Sequence, residues 1–403
     1  MAGLVTGDSI VNPDTMFTNN GIEVIIDRVD AVKRDEKTLS LSKGRTIPYD
    51  KLVLSTGSSP FILPIPGKDL DGVFAIRTLV DAENIRGYME KRKPKKIVFI
   101  GAGFLNLEVA TLMKQSEPDF YDITVVEVLE HPLGLMLDPE MAAGVQSCLE
   151  ENALTMRMGE KVTRILETNG QVSGVELASG KTIEADMVFM NVGSRPNLAL
   201  AEAMDLDMGE FGVQTNEYME TSDPDVFAGG DCVNNFHFIT REPTPIQLRG
   251  PAVIQGRLIA KRLAGYDIPF PGLLGNSAVK LFDKCIASTG FTEEQAVQNG
   301  FTPVCTTVAS VSKHSMIPGS KPWTLKLVFD KESHRLIGGQ IISDSDAPLK
   351  EIDTINALIL GEKKITDLVT LMCAGNPDCA SEPSKEPIAI AAEQALQKAK
   401  QVP

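Results

Sequence analysis

The segment from Lys95 to Met113, KKIVFIGAGFLNLEVATLM, constrains the fold of this chain more than any other. Lys96–Ile100 is apolar and β-branched and reads as a buried-type strand. It runs into Gly101-Ala102-Gly103, and Gly101–Gln115 reads as a turn followed by a helix. Gly101 permits the tight strand-to-helix turn. Gly103 lets the backbone approach a pyrophosphate with no Cβ in the way, and the helix N-terminus presents free N–H groups and a partial positive charge. A second strand, Ile123–Val128, carries Glu127 at its end. A carboxylate there accepts hydrogen bonds from adenosine ribose hydroxyls and repels a 2′-phosphate, which favours NADH over NADPH. The third glycine of this pattern is replaced by Asn106, which implies a slightly wider helix–strand gap or a hydrogen bond into it. The plainer alternative is a ligand-free βαβ turn.

Composition narrows the class. The chain has 403 residues, 43% hydrophobic and 23% charged, enough for two to three globular domains. A formal net charge of −15 argues against nucleic-acid binding, which needs clustered Lys and Arg. No apolar run approaches the roughly 20 residues that span a bilayer. Residues 1–13 lack the basic and apolar regions of a signal peptide, so the expected location is cytoplasmic. The six cysteines, at 148, 232, 285, 305, 373 and 379, form no C-x-x-C and no zinc-spaced cluster. No metal is expected, and most of these cysteines are expected to be small buried hydrophobes.

Strand and helix patterns alternate along the chain. Ile22–Ile26, Thr38–Leu41 and Lys51–Ser55 read as strands, the last ending at Thr56-Gly57. Pro60–Gly67 is a rigid connector, and Asp81–Lys91 a helix. Met187–Val192 reads as a strand, Asp223–Gly230 as strand-to-turn and Gly250–Leu263 as a helix. Beyond Gly275 the texture becomes strands such as Thr324–Phe329 and Leu336–Ile342, then helices near Ile352–Leu360 and Ile388–Lys398. Boundaries are expected near Lys93, Asn216 and Pro271.

Landmarks in order make a resemblance plain. Tyr49–Gly57 resembles a return strand whose Thr56-Gly57 turn passes near FAD in the pyridine nucleotide-disulfide oxidoreductases. GAGFLNLEVA resembles that family's NADH loop, and Met190–Asn197 its G-x-R-P-N crossover, with Gly193 and Arg195 in place. Thr221–Asp231 resembles the second FAD motif. There Asp231 would accept a ribityl hydroxyl and Gly230 would let the backbone pass close. Gly250-Pro251-Ala252 and Gln255-Gly256-Arg257 resemble the next helix. Lys280-Leu281-Phe282, Ala287–Gly290, Pro318-Gly319 and Gly338-Gly339-Gln340 resemble the C-terminal dimerisation domain. The chain is similar to the NADH oxidase and coenzyme A-disulfide reductase branch.

The resemblance implies an α/β fold. An FAD-binding domain (1–92 and 216–271) is split by an inserted Rossmann-like NAD-binding domain (93–215) and followed by an α+β dimerisation domain (272–403). It implies FAD and NAD(H) as cofactors, a homodimer and a small-molecule electron acceptor. Glu108 aligns with a family glutamate near nicotinamide and flavin; as residues alone it is a solvated carboxylate in the first helical turn, which the helix dipole favours. No catalytic residue is assigned.

The chain also departs from the family. The strand–G-x-G-x-x-G–helix unit that holds the FAD pyrophosphate, and the loop with the redox-active cysteine, are not found near its start, so the FAD domain is expected to be N-terminally incomplete. A misplaced start, a fragment and a genuine short form each account for that. Tyr-Tyr-Pro-Gly of the coenzyme A-disulfide reductase branch appears as Met316-Ile317-Pro318-Gly319, and its aromatic loop as Gly375–Pro383. Cys379 in that loop is a candidate thiol facing the partner's flavin, with Cys373 a candidate resolving partner; a loop cysteine without chemistry is the alternative. The expected function is FAD-dependent NAD(P)H oxidoreduction, with hydride passing from NADH to flavin and on to a disulfide, persulfide, oxygen or other acceptor. The rival readings are a non-catalytic dimeric NAD-binding module and a truncated gene product.

Overall fold

The apolar run Lys96–Ile100 is a strand with the limits its residues suggest, and it is the middle strand of a five-stranded parallel sheet. The order is Val73–Phe74, Met187–Met190, Lys96–Ile100, Asp122–Val126, Leu154–Arg157. A parallel sheet is covered on both faces, and that is why its inner strands Lys96–Ile100 and Met187–Met190 are near-continuously apolar, whereas the edge strand Leu154–Arg157 alternates. Ile97 and Phe99 join one core with Leu107, Ala110, Ile123, Val145 and Leu149. Val98 and Ile100 join another with Val188, Met190, Ile165 and Val175, the last two from a three-stranded antiparallel sheet spanning 162–184. Phe99 stacks on Phe189 across adjacent strands, with ring centroids 4.6 Å apart.

In this computed structural model residues 7–400 are described, and they divide into two compact units. The first comprises residues 7–61, 77–83 and 193–273; the second comprises 62–76, 84–192 and 274–400. These divisions fall elsewhere than the expected breaks near Lys93 and Asn216. Pairing explains one difference: Val73–Phe74 hydrogen-bonds beside Met187–Met190 and draws its segment into the parallel sheet. Packing explains the other. Leu198, Ala201, Met204, Leu206 and Val213 share a core with Leu54, Val226 and Ala228.

The first unit holds a three-stranded antiparallel sheet (Val29–Lys33, Thr38–Leu41, Thr46–Pro48). It also holds a parallel pair, Leu52–Leu54 with Val226–Ala228, and an antiparallel pair, Ser58–Pro60 with Ser194–Pro196. The second unit adds a five-stranded antiparallel sheet over residues 277–343, against which helices Glu351–Leu360 and Pro387–Lys400 pack.

Two readings need correction. Ile22–Ile26 is not a strand. Ile22, Val24 and Ile26 are exposed, and among the described residues no strand pairs with them. A short apolar stretch has no strand character without a partner. Of the six cysteines, only Cys148, Cys232 and Cys285 are buried; Cys305 is half-buried, and Cys373 and Cys379 are exposed.

A buried histidine in the first unit has a pH consequence. Burial pushes the pKa of His237 down from 6.5 to about 4, and its Nδ1 accepts from the Ile239 amide at 3.3 Å, as a neutral ring does. Below pH 6.5 the unfolded chain takes up this proton and the folded chain does not until about pH 4. Stability is therefore expected to fall by roughly 3 kcal/mol over that window, on about 1.4 kcal/mol per pKa unit. His237→Gln should flatten the pH dependence of the denaturation midpoint there; an unchanged slope would contradict this.

Candidate functional site

In the second unit the strand-to-helix turn is built as its glycines require. Gly101 has φ +98°, and a Cβ there would lie 3.2 Å from Val192 Cγ1 and 3.3 Å from the Asn191 carbonyl oxygen. Gly103 differs: it caps the helix at φ −75°, ψ 166°, and a Cβ there would meet nothing within 4 Å. The backbone does not demand glycine at 103, but a group approaching from outside does. The helix Phe104–Ser116 has no side-chain cap, so its first-turn amides are free to donate.

Glu127 lies just past the Asp122–Val126 strand. Its Oε2 accepts from the Ala102 amide at 2.6 Å and its Oε1 from the Leu129 amide at 2.9 Å. Each oxygen keeps a further lone pair for a ribose hydroxyl. Asn106 is wholly buried and fills the helix–strand gap by hydrogen bonding. Its Nδ2 donates to the carbonyls of Ile100 (2.7 Å) and Gly101 (2.8 Å), and its Oδ1 accepts from Asn191 Nδ2 at 2.7 Å. Glu108 falls in the second helical turn rather than the first, and it is exposed. These residues suit a dinucleotide: an open Cβ position, uncapped amides and a pinned carboxylate.

In the first unit the other candidates gather around three crossing segments. Thr56 Oγ1 donates to the Asn197 carbonyl at 2.7 Å, Asn197 Nδ2 to the Thr56 carbonyl at 2.9 Å, and the Asn197 amide to the Gly57 carbonyl at 2.9 Å. The Phe61 amide donates to the Gly193 carbonyl, and the Arg195 guanidinium lies 4.4 Å from the Phe61 ring centroid. Arg195 is itself exposed. The Gly229 amide donates to the Leu54 carbonyl, and the Gly230 amide to Gln255 Oε1 at 2.7 Å. Asp231 Oδ2 accepts from Ser58 Oγ at 2.8 Å and Arg77 Nη2 at 3.0 Å. Among the described residues its Oδ1 takes no hydrogen bond. An oriented carboxylate with one oxygen to spare suits a polyol chain such as ribityl. Thr56, Gly57, Gly193, Arg195, Gly230 and Asp231 thus converge in one unit, and Gly101, Gly103, Asn106, Glu108 and Glu127 in the other.

Sequence reading missed Arg77 and Ser58. Nothing local marks Arg77, which lies 154 residues from the carboxylate it pairs with. Cys373 and Cys379 are both free and exposed, and among the described residues neither thiol has a hydrogen-bond partner.

Two nucleotide-type half-sites, on a split unit and an inserted parallel sheet, define a two-cofactor oxidoreductase. Residues 9–255 match the pyridine nucleotide-disulphide oxidoreductase family, and residues 277–386 match its dimerisation domain. The chain belongs to this family, whose members bind FAD and NAD(P)H, and it carries the dimerisation domain.

It is similar to an NADH oxidase of Methanocaldococcus jannaschii, 34% identical over 350 residues, covering 87% of this chain and 76% of that protein. It is similar also to an NAD(P)H sulfur oxidoreductase (CoA-dependent) of Pyrococcus furiosus, 34% identical, covering 78% and 70%. The NAD-dependent persulfide reductase of A. fulgidus superposes with a TM-score of 0.92 at 30% identity, covering 98% of this chain and 74% of that one. The protein is a flavin-dependent pyridine nucleotide oxidoreductase. No helix among the described residues is long and apolar enough to cross a membrane.

Proposed function

We propose that this chain, as a cytoplasmic homodimer, takes hydride from NADH onto FAD and passes the electrons to a disulfide, a persulfide or oxygen. The open, uncapped helix mouth at Gly103, with the Glu127 carboxylate pinned beside it, carries the NADH part. Gly101 makes the turn and Gly103 admits the diphosphate, the first-turn amides bind it, and Glu127 receives the ribose hydroxyls. Thr56, Gly57, Gly230 and Asp231 would hold the ribityl and flavin end of FAD; Ser58 and Arg77 keep the Asp231 carboxylate turned for that purpose. When bound, FAD supplies the two-electron chemistry; the chain supplies position. The sulfur-linked and oxygen-linked relatives support these acceptors.

Colour and titration test the reading. Purified protein should be yellow and should bleach with NADH under anaerobic conditions. Reoxidation by oxygen, by a disulfide and by a persulfide then identifies the acceptor. Colourless protein that still binds NADH would make it a nucleotide-binding module instead.

Glu127→Gln should raise the Kd for NADH about tenfold, since a bond to a charged group contributes roughly 1.5–3 kcal/mol, and should narrow the preference over NADPH. Equal discrimination before and after the change would remove Glu127 from this role.

A further inference from the structure

We propose that Asn106, backed by Asn191, is a positioning residue that clamps the Gly101–Ala102 peptide and so aims Glu127 at the dinucleotide. The inference rests on the Gly101–Gly103 loop being the dinucleotide site.

The Gly101–Ala102 peptide has one carbonyl and one N–H. Its carbonyl, on Gly101, accepts from Asn106 Nδ2 at 2.8 Å, and its N–H, on Ala102, donates to Glu127 Oε2 at 2.6 Å. Because the peptide is planar, holding one end sets the direction of the other. Gly101, at φ +98°, has no Cβ to restrict its rotation, so the hydrogen bonds supply the restraint. Asn106 itself reaches no ligand: it is wholly buried beneath the turn.

Asn106 is held in its turn. Both its N–H groups are used on the Ile100 and Gly101 carbonyls, so the amide can face only one way, and Asn191 Nδ2 satisfies its oxygen at 2.7 Å. Asn191 Oδ1 accepts from the Ile76 amide at 2.8 Å. The chain leaves the second unit just after Ile76 and again just after Val192, the neighbour of Asn191. The relay thus runs from the Ile76 amide through Asn191 and Asn106 to the peptide that holds Glu127. A glycine at 106 would pack the helix closer but would leave the Gly101 carbonyl and the Asn191 amide without these partners.

The test is calorimetric binding of NAD⁺ and NADP⁺ to the full chain carrying Asn106→Ala, Asn191→Ala, both changes, or Gly103→Val. Asn106→Ala should weaken NAD⁺ binding about tenfold, the scale of one buried hydrogen bond lost, and NADP⁺ binding less, so that their ratio shrinks. Asn191→Ala leaves the two carbonyl bonds in place and should move both constants the same way by a smaller factor. The double variant should resemble Asn106→Ala alone, because the two amides act in series. An unchanged NAD⁺/NADP⁺ ratio in Asn106→Ala overturns the proposal. If that variant does not fold, an unchanged ratio in Asn191→Ala overturns it equally. Gly103→Val separates the two levels. If it abolishes binding while the asparagine variants keep their ratio, only the positioning role fails; if it binds normally, the loop assignment fails.

Discussion

Replacing Lys326 by Met is expected to destabilise the protein by about 3–5 kcal/mol, the scale of removing one partner from a buried ion pair. Lys326 is 1% exposed, and Asp138 beside it is 2% exposed. The ammonium lies 2.8 Å from Asp138 Oδ2 and 3.0 Å from Glu293 Oε2, and it also pairs with Glu140. Carboxylate oxygens of these three residues lie within 4.8 Å of one another, so the lysine is the cation of an acidic nest. Burial alone pushes its pKa down, but the three carboxylates more than offset that and the net shift is upward. A raised folded pKa gives stability that is complete below the ordinary value of 10.5 and is lost only as pH rises through the folded value, so the pair is intact across neutral pH.

Asp138 also accepts from the Glu293 amide at 2.9 Å and from Gln340 Nε2 at 2.5 Å, while its own amide donates to Gln340 Oε1. It therefore precedes the helix Pro139–Glu151 in sequence yet receives the first amide of another, Glu293–Gln298. With Met at 326 the Asp138 carboxylate keeps two donors and loses its countercharge. Denaturant unfolding measures the loss. Lys326→Met/Asp138→Asn should recover part of it, since neither charge is then stranded. A single-variant loss below about 1 kcal/mol, the range of exposed pairs, would contradict the argument.

Replacing Gly103 by Val is expected to lower dinucleotide affinity about a hundredfold or more with only a small fall in the unfolding midpoint, the scale of a poorer N-cap residue. The backbone at 103 is extended, a region valine adopts readily, and its Cβ would touch no atom of the chain. The side chain would instead occupy the approach to the helix mouth. Two lost bonds from amides to a phosphate, at roughly 1.5–3 kcal/mol each, account for the factor. Calorimetry and thermal unfolding on the same sample check both halves. A large drop in the midpoint would mean that position 103 matters to folding; normal affinity would place the diphosphate elsewhere. Gly101→Val is the useful contrast, because at φ +98° it should destabilise the fold itself.

Much of this architecture was legible without coordinates. The strand at Lys96–Ile100, the helix after it and the helices Glu351–Leu360 and Pro387–Lys400 announce themselves by apolar period and by glycine. Asn106 was legible in part: a polar side chain where the turn favours glycine suggested a wider gap or a bond, and the structure shows three bonds. Ile22–Ile26 misled because its apolar side chains have no second strand to pack beside.

Nothing in the local pattern could reveal Arg77 at Asp231, Asn191 at Asn106 or Lys326 among its carboxylates. Turns, caps and periodicity depend on neighbours a few residues apart, so they can be read along the chain. A polar group finds its partner only after the backbone has folded, when residues 85, 154 or 186 positions apart are brought together, and for Asn106 and Lys326 that happens in a dry interior where an unmatched group is costly. The order of elements is therefore written in local chemistry, and the aim of the functional side chains is set by the packing that brings distant segments together.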